Sequence, residues 1–328
     1  MKKFVILDTE TTGFQESPET NYVLDAYNPM FRVIGEQENR ILQLAYIAGD
    51  LNNNEISCEV VVDELCKPPV PQTVGSIATT GIVPEMLVDK PTFNELNGVS
   101  VLNDLNVEEN ILVIHNAQFD IEMLRREGFD NKMKLIDTLR VIRHLFPDDE
   151  SHSMQWYRYG RKLYLKEPEA IKKVGKEIAA HDALGDVIVL KLLLEDLLQK
   201  GVTVEQMIEL TQKPIFIKRM NFGKHRGKQI EDVAKNDPRY LLYLLSEEMK
   251  KDIDKRNSDL VFTINKLIED LNLLSEYKFS FGKYKGMEVA HVIQNDMSYI
   301  NWIMSDLKDG KNTDPILIMA IESLLPEK

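Results

Sequence analysis

Asp8 and Glu10 stand two residues apart where an apolar run, KFVILD over 3–8, gives way to TETTG. In a strand that spacing sends both side chains to one face, and two carboxylates on one face near a strand's end can share a cation. An Asp-x-Glu pair alone says little, because most such pairs in an acidic chain are solvated. A buried strand does not readily end in acids, however, unless they face something cationic. Asp120 follows His115, Asn116 and Phe119 at the start of a helical pattern, where the helix dipole already favours a carboxylate. His181 and Asp186 lie five apart in AAHDALGD, a spacing that in isolation more often marks a capped helix start. Asp182 can be that cap, which leaves His181 and Asp186 for other work.

These residues need elements to carry them. Lys3–Asp8 is apolar and β-branched enough for a buried strand, and TETTG supplies the turn after it. Residues 14–40, with Pro18, Pro29 and clusters of Asn and Glu, form a long excursion of a length that is usually functional. Ile41–Ala48 and Glu55–Val62 are expected to be two strands joined by a turn at Asn52–Asn54. Ile111–Ile114 is a short apolar strand, and HNAQFD leads from it into a helix carrying Ile121, Leu124 and Arg125. Asp137–Phe146 and Ala183–Leu198 have helical spacing, the second expected to be the last helix of its domain, and Asp137 is the expected structural cap of the first. Asp148–Ile178 separates them.

The 328 residues, 43% hydrophobic, allow one full domain and a smaller one. The boundary is placed between residues 205 and 206. The net charge of -13 at first argues against a phosphate-bearing partner. The excess acid is confined to residues 1–205, with 21 Lys plus Arg against 34 Asp plus Glu, whereas residues 206–328 hold 19 of each. Carboxylates that bind cations reverse the local field, so acidity there does not exclude nucleic acid. No apolar run is long enough for a signal peptide or membrane span, and a soluble, cytoplasmic protein without a membrane partner is expected. Cys58 and Cys66 match neither a zinc nor a redox spacing.

In order along the chain, DTETTG, HNAxFD and AHDALGD resemble the three motifs of the DnaQ-like, DEDDh-type exonucleases over roughly the first 200 residues. The resemblance implies an α/β fold, a ribonuclease H-like mixed β-sheet flanked by helices. It also implies removal of mononucleotides from a 3′ end and two divalent cations, Mg2+ or Mn2+. By motif position Asp8, Glu10, Asp120 and Asp186 would be the metal ligands and His181 the general base. The chemistry is consistent with that assignment. Crowded carboxylates repel unless cations lie between them, and hard oxygen donors favour Mg2+ or Mn2+ over zinc. Two such ions activate a water and stabilise the leaving oxygen, and an imidazole with a pKa near ~6.5 takes the water's proton. The resemblance also implies that Thr11 and Thr12, with the amides around Gly13, would lie at the sugar of the terminal nucleotide and that Asn116 would touch the substrate. The alternative for Thr11 and Thr12 is a plain turn, and for His115 and Phe119 it is packing.

Behind this domain the chain repeats itself. Phe222–Ser246 aligns with Phe281–Ser305 at an offset of 59, with nine identities in 25 positions, among them Phe222/Phe281, Gly223/Gly282, Lys224/Lys283, Asp237/Asp296 and Tyr240/Tyr299. Tyr243 faces Trp302. A smaller α+β region of two hairpin-helix units, about 218–250 and 277–308, is expected, with Asn-Asp capping the helix in each. It resembles, more weakly, the C-terminal domain of exonuclease X-like proteins. Lys213–Ile230 holds six basic residues and no acid. Lys224, Arg226, Lys228, Lys283 and Lys285, with nearby aromatics, suit single-stranded nucleic acid, and simple packing suits the same pattern. The expected partner is nucleic acid with a free 3′ end, DNA ahead of RNA. The rival functions are a noncatalytic nucleic-acid-binding adaptor and a proofreading subunit bound to a polymerase.

Overall fold

The run Phe4-Val-Ile-Leu7 is buried on both faces, as the centre of a covered sheet requires. In the computed structural model it lies in strand β1 (Lys3–Thr11), and the structure describes residues 2–13, 21–25, 28–33, 38–175, 183–274, 277–308 and 315–325. Strands β2 (Asn21–Asp25) and β3 (Asn28–Val33) follow, then β4 (Ile41–Asn52), β5 (Glu55–Ile56), β6 (Val60–Leu65), β7 (Gln72–Thr73), β8 (Ile111–Ile114) and β9 (Lys134–Asp137). The main sheet runs β5-β4-β1-β8-β9, with β6 also on β4; β1 is antiparallel to β4 and parallel to β8, which is parallel to β9. This is the expected mixed, ribonuclease H-like sheet. Asn53 and Asn54, both at positive φ, turn the chain between β4 and β5 where the sequence placed a turn. The excursion over 14–40 is not all loop: β2 and β3 pair with each other, and β2 with β7, in a second sheet.

Helices pack against the two sheets and against one another. In chain order they are α1 (Val74–Thr80), α2 (Asn97–Leu105), α3 (Ala117–Arg126), α4 (Thr138–Leu145), α5 (Met154–Gly160), α6 (Glu167–Val174), α7 (Ala183–Gln199) and α8 (Val204–Gln212). The alternation of β1 decides which side each residue serves. Phe4 and Ile6 join the core built by α7, and Val5 and Leu7 join the core under α3. Helix α7 is buried almost all round, which its near-continuous apolar sequence dictates. Its buried Lys191 and Glu195 pair at 2.6 Å, and Glu195 also accepts from the Ile56 amide at 2.7 Å, so neither charge is left uncompensated.

The chain divides into two compact units, Met1–Lys213 and Pro214–Lys328. The boundary drawn at 205/206 cuts α8, whose Val204 and Met207 lie in the core of the first unit. Helix α7 is therefore not the last of its domain.

The second unit is helical: α9 (Ile230–Asn236), α10 (Pro238–Met249), α11 (Ser258–Leu271), α12 (Val289–Asn295), α13 (Met297–Lys308) and α14 (Pro315–Leu324). The expected α+β hairpins do not form as strands among the described residues. Each shrinks to a tight loop closed by one antiparallel bridge, Arg219–Gln229 or Lys278–Glu288. Helix α11, which lies between the two repeat units in the chain, contributes Leu260, Ile264 and Leu267 to their shared core.

The repeat identities have a mechanical cause. Gly223 and Gly282 have φ of 67° and 75°, and a Cβ at either would collide with the hydroxyl of Tyr240 or Tyr299. Asn236 and Asn295 donate to the carbonyls of Asp232 and His291 at 2.7 Å, closing the preceding helix. Asp237 binds Lys224 at 2.7 Å and His225 at 2.8 Å; Asp296 binds Lys283 at 3.0 Å and the Tyr284 hydroxyl at 2.7 Å. Asp296 also caps α13 through the Tyr299 amide at 3.0 Å, whereas Asp237 makes no side-chain cap.

Candidate active site

Asp8 and Glu10 point from β1 toward the face covered by α7, the face that Phe4 and Ile6 also serve. Asp186 lies in the first turn of α7. One carboxylate oxygen from each of Asp8, Glu10 and Asp186 lies within 4.8 Å of the others, a spacing that can hold a metal ion. Residues from opposite ends of the first unit thus share one pocket of negative charge. Two glutamines steady this corner. Gln155 on α5 donates to Asp186 Oδ1 at 3.3 Å, and Gln43, opposite Glu10 on β4, accepts from the Ala183 amide at 3.5 Å and donates to Asp63 at 2.7 Å.

Asp120 comes from α3. It sits in the first turn of α3, only 4% exposed, and its Oδ1 accepts from the Thr9 amide at 3.1 Å and the Thr9 hydroxyl at 2.7 Å. The residue between the two acids of β1, pointing the opposite way, thereby fixes the third acid. Asp120 is not one of the three oxygens within 4.8 Å, yet its charge is felt there. Burial pushes Asp8 well above the usual carboxylate range, and the charges of Asp120, Asp186 and Glu10 add to that, in this order. Asp120 is itself pushed up to about 7, chiefly by burial, against the lowering effect of the two Thr9 hydrogen bonds. Buried carboxylates crowded in this way are relieved by protons or by cations. With oxygen donors only, the set fits a hard divalent ion.

The remaining expected site residues separate by role. His181, with Asp182, lies outside the described residues. The Thr11 hydroxyl donates to the Gly13 carbonyl at 2.8 Å, and that of Thr12 accepts from the Arg40 amide at 3.0 Å; both threonines are buried and hold the turn after β1. A Cβ at Gly13 would lie 2.6 Å from Asn39 Oδ1, so a larger residue there would displace the buried Asn39 side chain. Asn116 adopts a left-handed conformation, φ 70°, at the start of α3. Its amide and that of Ala117 donate to the two oxygens of Asp137 at 3.0 and 3.1 Å, while Asp137 also caps α4 through Leu139 at 2.9 Å. Asp137 is thus the expected cap, serving two helices at once.

His115 is a packing residue. Its Nε2 faces the His152 carbonyl at 3.1 Å, which only an N–H can satisfy, so Nδ1 is the acceptor for the Thr138 hydroxyl at 2.9 Å. Burial pushes it down to about 4. Sequence reasoning missed Thr9, Gln43 and Gln155; the alternation of a strand between DxE acids was the available signal for Thr9 alone. In the second unit Arg226, Lys228 and Lys285 are exposed, while Lys224 and Lys283, more than half exposed, are held by Asp237 and Asp296.

The chain matches the family model described as Exonuclease over residues 5–194, and the one described as Exodeoxyribonuclease X-like C-terminal twice, over residues 220–247 and 279–308. It is 30% identical over 210 residues to Exodeoxyribonuclease 10 of Escherichia coli strain K12, covering 64% of this chain and 85% of that protein. It is 31% identical over 156 residues to DNA polymerase III subunit epsilon of Buchnera aphidicola subsp. Acyrthosiphon pisum, covering 44% of this chain and 56% of that one. Among solved structures, exonuclease X in complex with 5′ overhanging duplex DNA aligns with a TM-score of 0.45 and 24% identity, over 64% of this chain and 99% of the other. The chain belongs to the exonuclease family: it is a DnaQ-like hydrolytic nuclease with an exodeoxyribonuclease X-like C-terminal module present in two copies.

Proposed function

We propose that this exonuclease removes nucleotides from the 3′ end of DNA, with Asp8, Glu10, Asp120 and Asp186 holding two divalent cations, Mg2+ or Mn2+, and His181 as general base. The observation that carries the reading is the convergence of Asp8, Glu10 and Asp186 within 4.8 Å, with the charge of Asp120 close enough to raise Asp8. Bound to such a set, the ions supply an activated water and neutralise the charge developing on the leaving oxygen. The protein's own groups do the rest. Thr9 keeps Asp120 aimed at the end of β1, and Gln155 orients Asp186. His181, placed by its motif, takes the proton of the attacking water. DNA is favoured because the relative that is 30% identical is named an exodeoxyribonuclease.

The test is a time course of the full chain with Mg2+ on DNA and RNA oligonucleotides of equal sequence, labelled at either end. We expect mononucleotides to leave the 3′ end, DNA faster than RNA. EDTA or Asp8→Ala should abolish release, and His181→Asn should slow it about 10^2- to 10^4-fold. Release from the 5′ end, or activity that survives EDTA, overturns the reading.

A further inference from the structure

We propose that each copy of the C-terminal module carries a base-stacking platform, with Tyr243 in one and Trp302 in the other, and that these platforms hold single-stranded nucleic acid. The two residues occupy equivalent positions in the duplication, and they are 58% and 59% exposed. Neither is needed by the core, which is filled on the same helices by Leu241 and Leu245 and by Ile300 and Ile303. A large ring left in water at one position of a repeat is ordinary; the same position left aromatic and equally exposed in both copies calls for a ligand with a flat face.

What surrounds each ring fits that ligand. Three residues before Tyr243 on α10, Tyr240 lies beneath the basic turn, with Lys224 Nζ 4.7 Å above its ring centre and His225 edge-on at 5.0 Å. Three residues before Trp302 on α13, Tyr299 lies 5.5 Å from the indole and 4.9 Å from Tyr284, which carries Lys283 Nζ at 4.7 Å. Residues three apart on a helix are surface neighbours: Trp302 continues an aromatic row that ends under Lys283, and Tyr243 stands one turn along α10 from Tyr240, which lies under Lys224. Asp237 and Asp296 fix those lysines in place and neutralise them. Arg226, Lys228 and Lys285, exposed on the same turns and without an ion pair among the described residues, remain to meet phosphates. Bases stacked on rings beside cations that track the backbone are the chemistry of sequence-tolerant single-strand binding.

The inference rests on the partner being nucleic acid and not on the cleavage chemistry, so it is tested without turnover. The full chain carrying Asp8→Ala, in EDTA, is titrated with oligo(dT) while tryptophan fluorescence and the anisotropy of a labelled strand are followed. The chain has two tryptophans, Trp156 and Trp302. We expect quenching that survives Trp156→Phe and disappears in Trp302→Ala. Tyr243→Ala and Trp302→Ala should each weaken binding roughly five- to a hundredfold, with Tyr243→Phe and Trp302→Phe close to wild type, because stacking needs only the ring. Unchanged affinity in both alanine variants, or affinity lost equally in the phenylalanine variants, overturns the proposal. If these outcomes hold while nucleotide release fails, the platform stands and the nuclease reading does not.

Discussion

Removing the charge of Asp120 should stabilise the metal-free protein, increasingly so as pH rises. The Asp120 carboxyl is pushed up to about 7 from an ordinary 3.8, chiefly by burial. A carboxyl whose pKa is higher folded than unfolded favours the folded state below the unfolded value and loses that advantage as pH rises through the folded value. A rise of that size corresponds to about 4 kcal/mol lost at the high-pH plateau, the smaller part of it already lost at pH 5. Asp120→Asn keeps the shape and still accepts from Thr9, but carries no charge to bury. Between pH 5 and 8 its advantage over wild type should grow by about 3 kcal/mol, or roughly 6 to 12 °C in Tm for a unit of this size. Relief of Asp8, which Asp120 also raises, adds in the same direction. The comparison must be made against wild type, because His115 has the opposite slope. Its pKa is pushed down to about 4, so its contribution is complete above 6.5 and lost as pH falls. Thermal unfolding of both proteins in EDTA at pH 5, 6, 7 and 8 reads the difference. A difference that stays flat or shrinks with rising pH refutes the argument that these acids are stressed without cations.

Mg2+ in excess should raise the Tm of wild type more at pH 8 than at pH 5, since cation binding competes with protons, and should do little for Asp8→Ala; equal shifts at both pH values speak against the carboxylate site. Thr9→Val deletes the 2.7 Å hydrogen bond to Asp120 and should raise the Mg2+ concentration for half-maximal nuclease rate about tenfold, with the fold intact by circular dichroism. Asp137→Ala removes bonds to the amides of Asn116, Ala117 and Leu139 and should destabilise by about 2 to 4 kcal/mol in urea unfolding; a loss under 1 kcal/mol contradicts its role. Gly223→Ala forces a Cβ against the Tyr240 hydroxyl at φ 67° and should destabilise the second unit, with Tyr240→Phe restoring part of the loss in limited proteolysis.

The chemistry of the site was legible in the sequence because its residue types are expensive to place anywhere else. Acids at the end of a buried strand, and one in the first turn of each of two helices, leave a readable trace. Strands β1, β4 and β8 were legible for the same reason, being apolar and covered, whereas β9, short and with Lys134 exposed, was missed, and the stretch 55–62 expected as one strand is divided between β5 and β6. What sequence patterns could not convey was what holds each acid. Strand alternation turns Thr9 away from Asp8 and Glu10, but only the fold brings Asp120 of α3 to its amide and hydroxyl. The excursion over 14–40 hid a second sheet, because its short apolar stretches, Tyr22–Leu24 and Met30–Phe31, are set among prolines and polar residues. The hairpins of the C-terminal repeats were overread. Glycines at fixed spacing announce a turn, but each turn is closed by a single bridge and the chain returns at once to helix.

The duplicated module also shows how the two kinds of repeat position part company. Gly223/Gly282 and Tyr240/Tyr299 are identical because a Cβ and a hydroxyl cannot occupy one space, and Asn236/Asn295 because a helix end needs its carbonyl satisfied. Those identities build a turn and say nothing about a ligand. Tyr243 and Trp302 differ in residue and agree in what they offer, an unsatisfied ring in water. Folding imposes no demand at that position, since the helix and its core are complete without either side chain. Aromatic character kept where geometry does not require it is what a stacking surface would preserve, whereas exact identity kept where geometry does require it is scaffold. The basic residues divide along the same line: Lys224 and Lys283 are tied to aspartates and belong to the scaffold, while Arg226, Lys228 and Lys285 are the charges through which the module can meet a phosphate backbone.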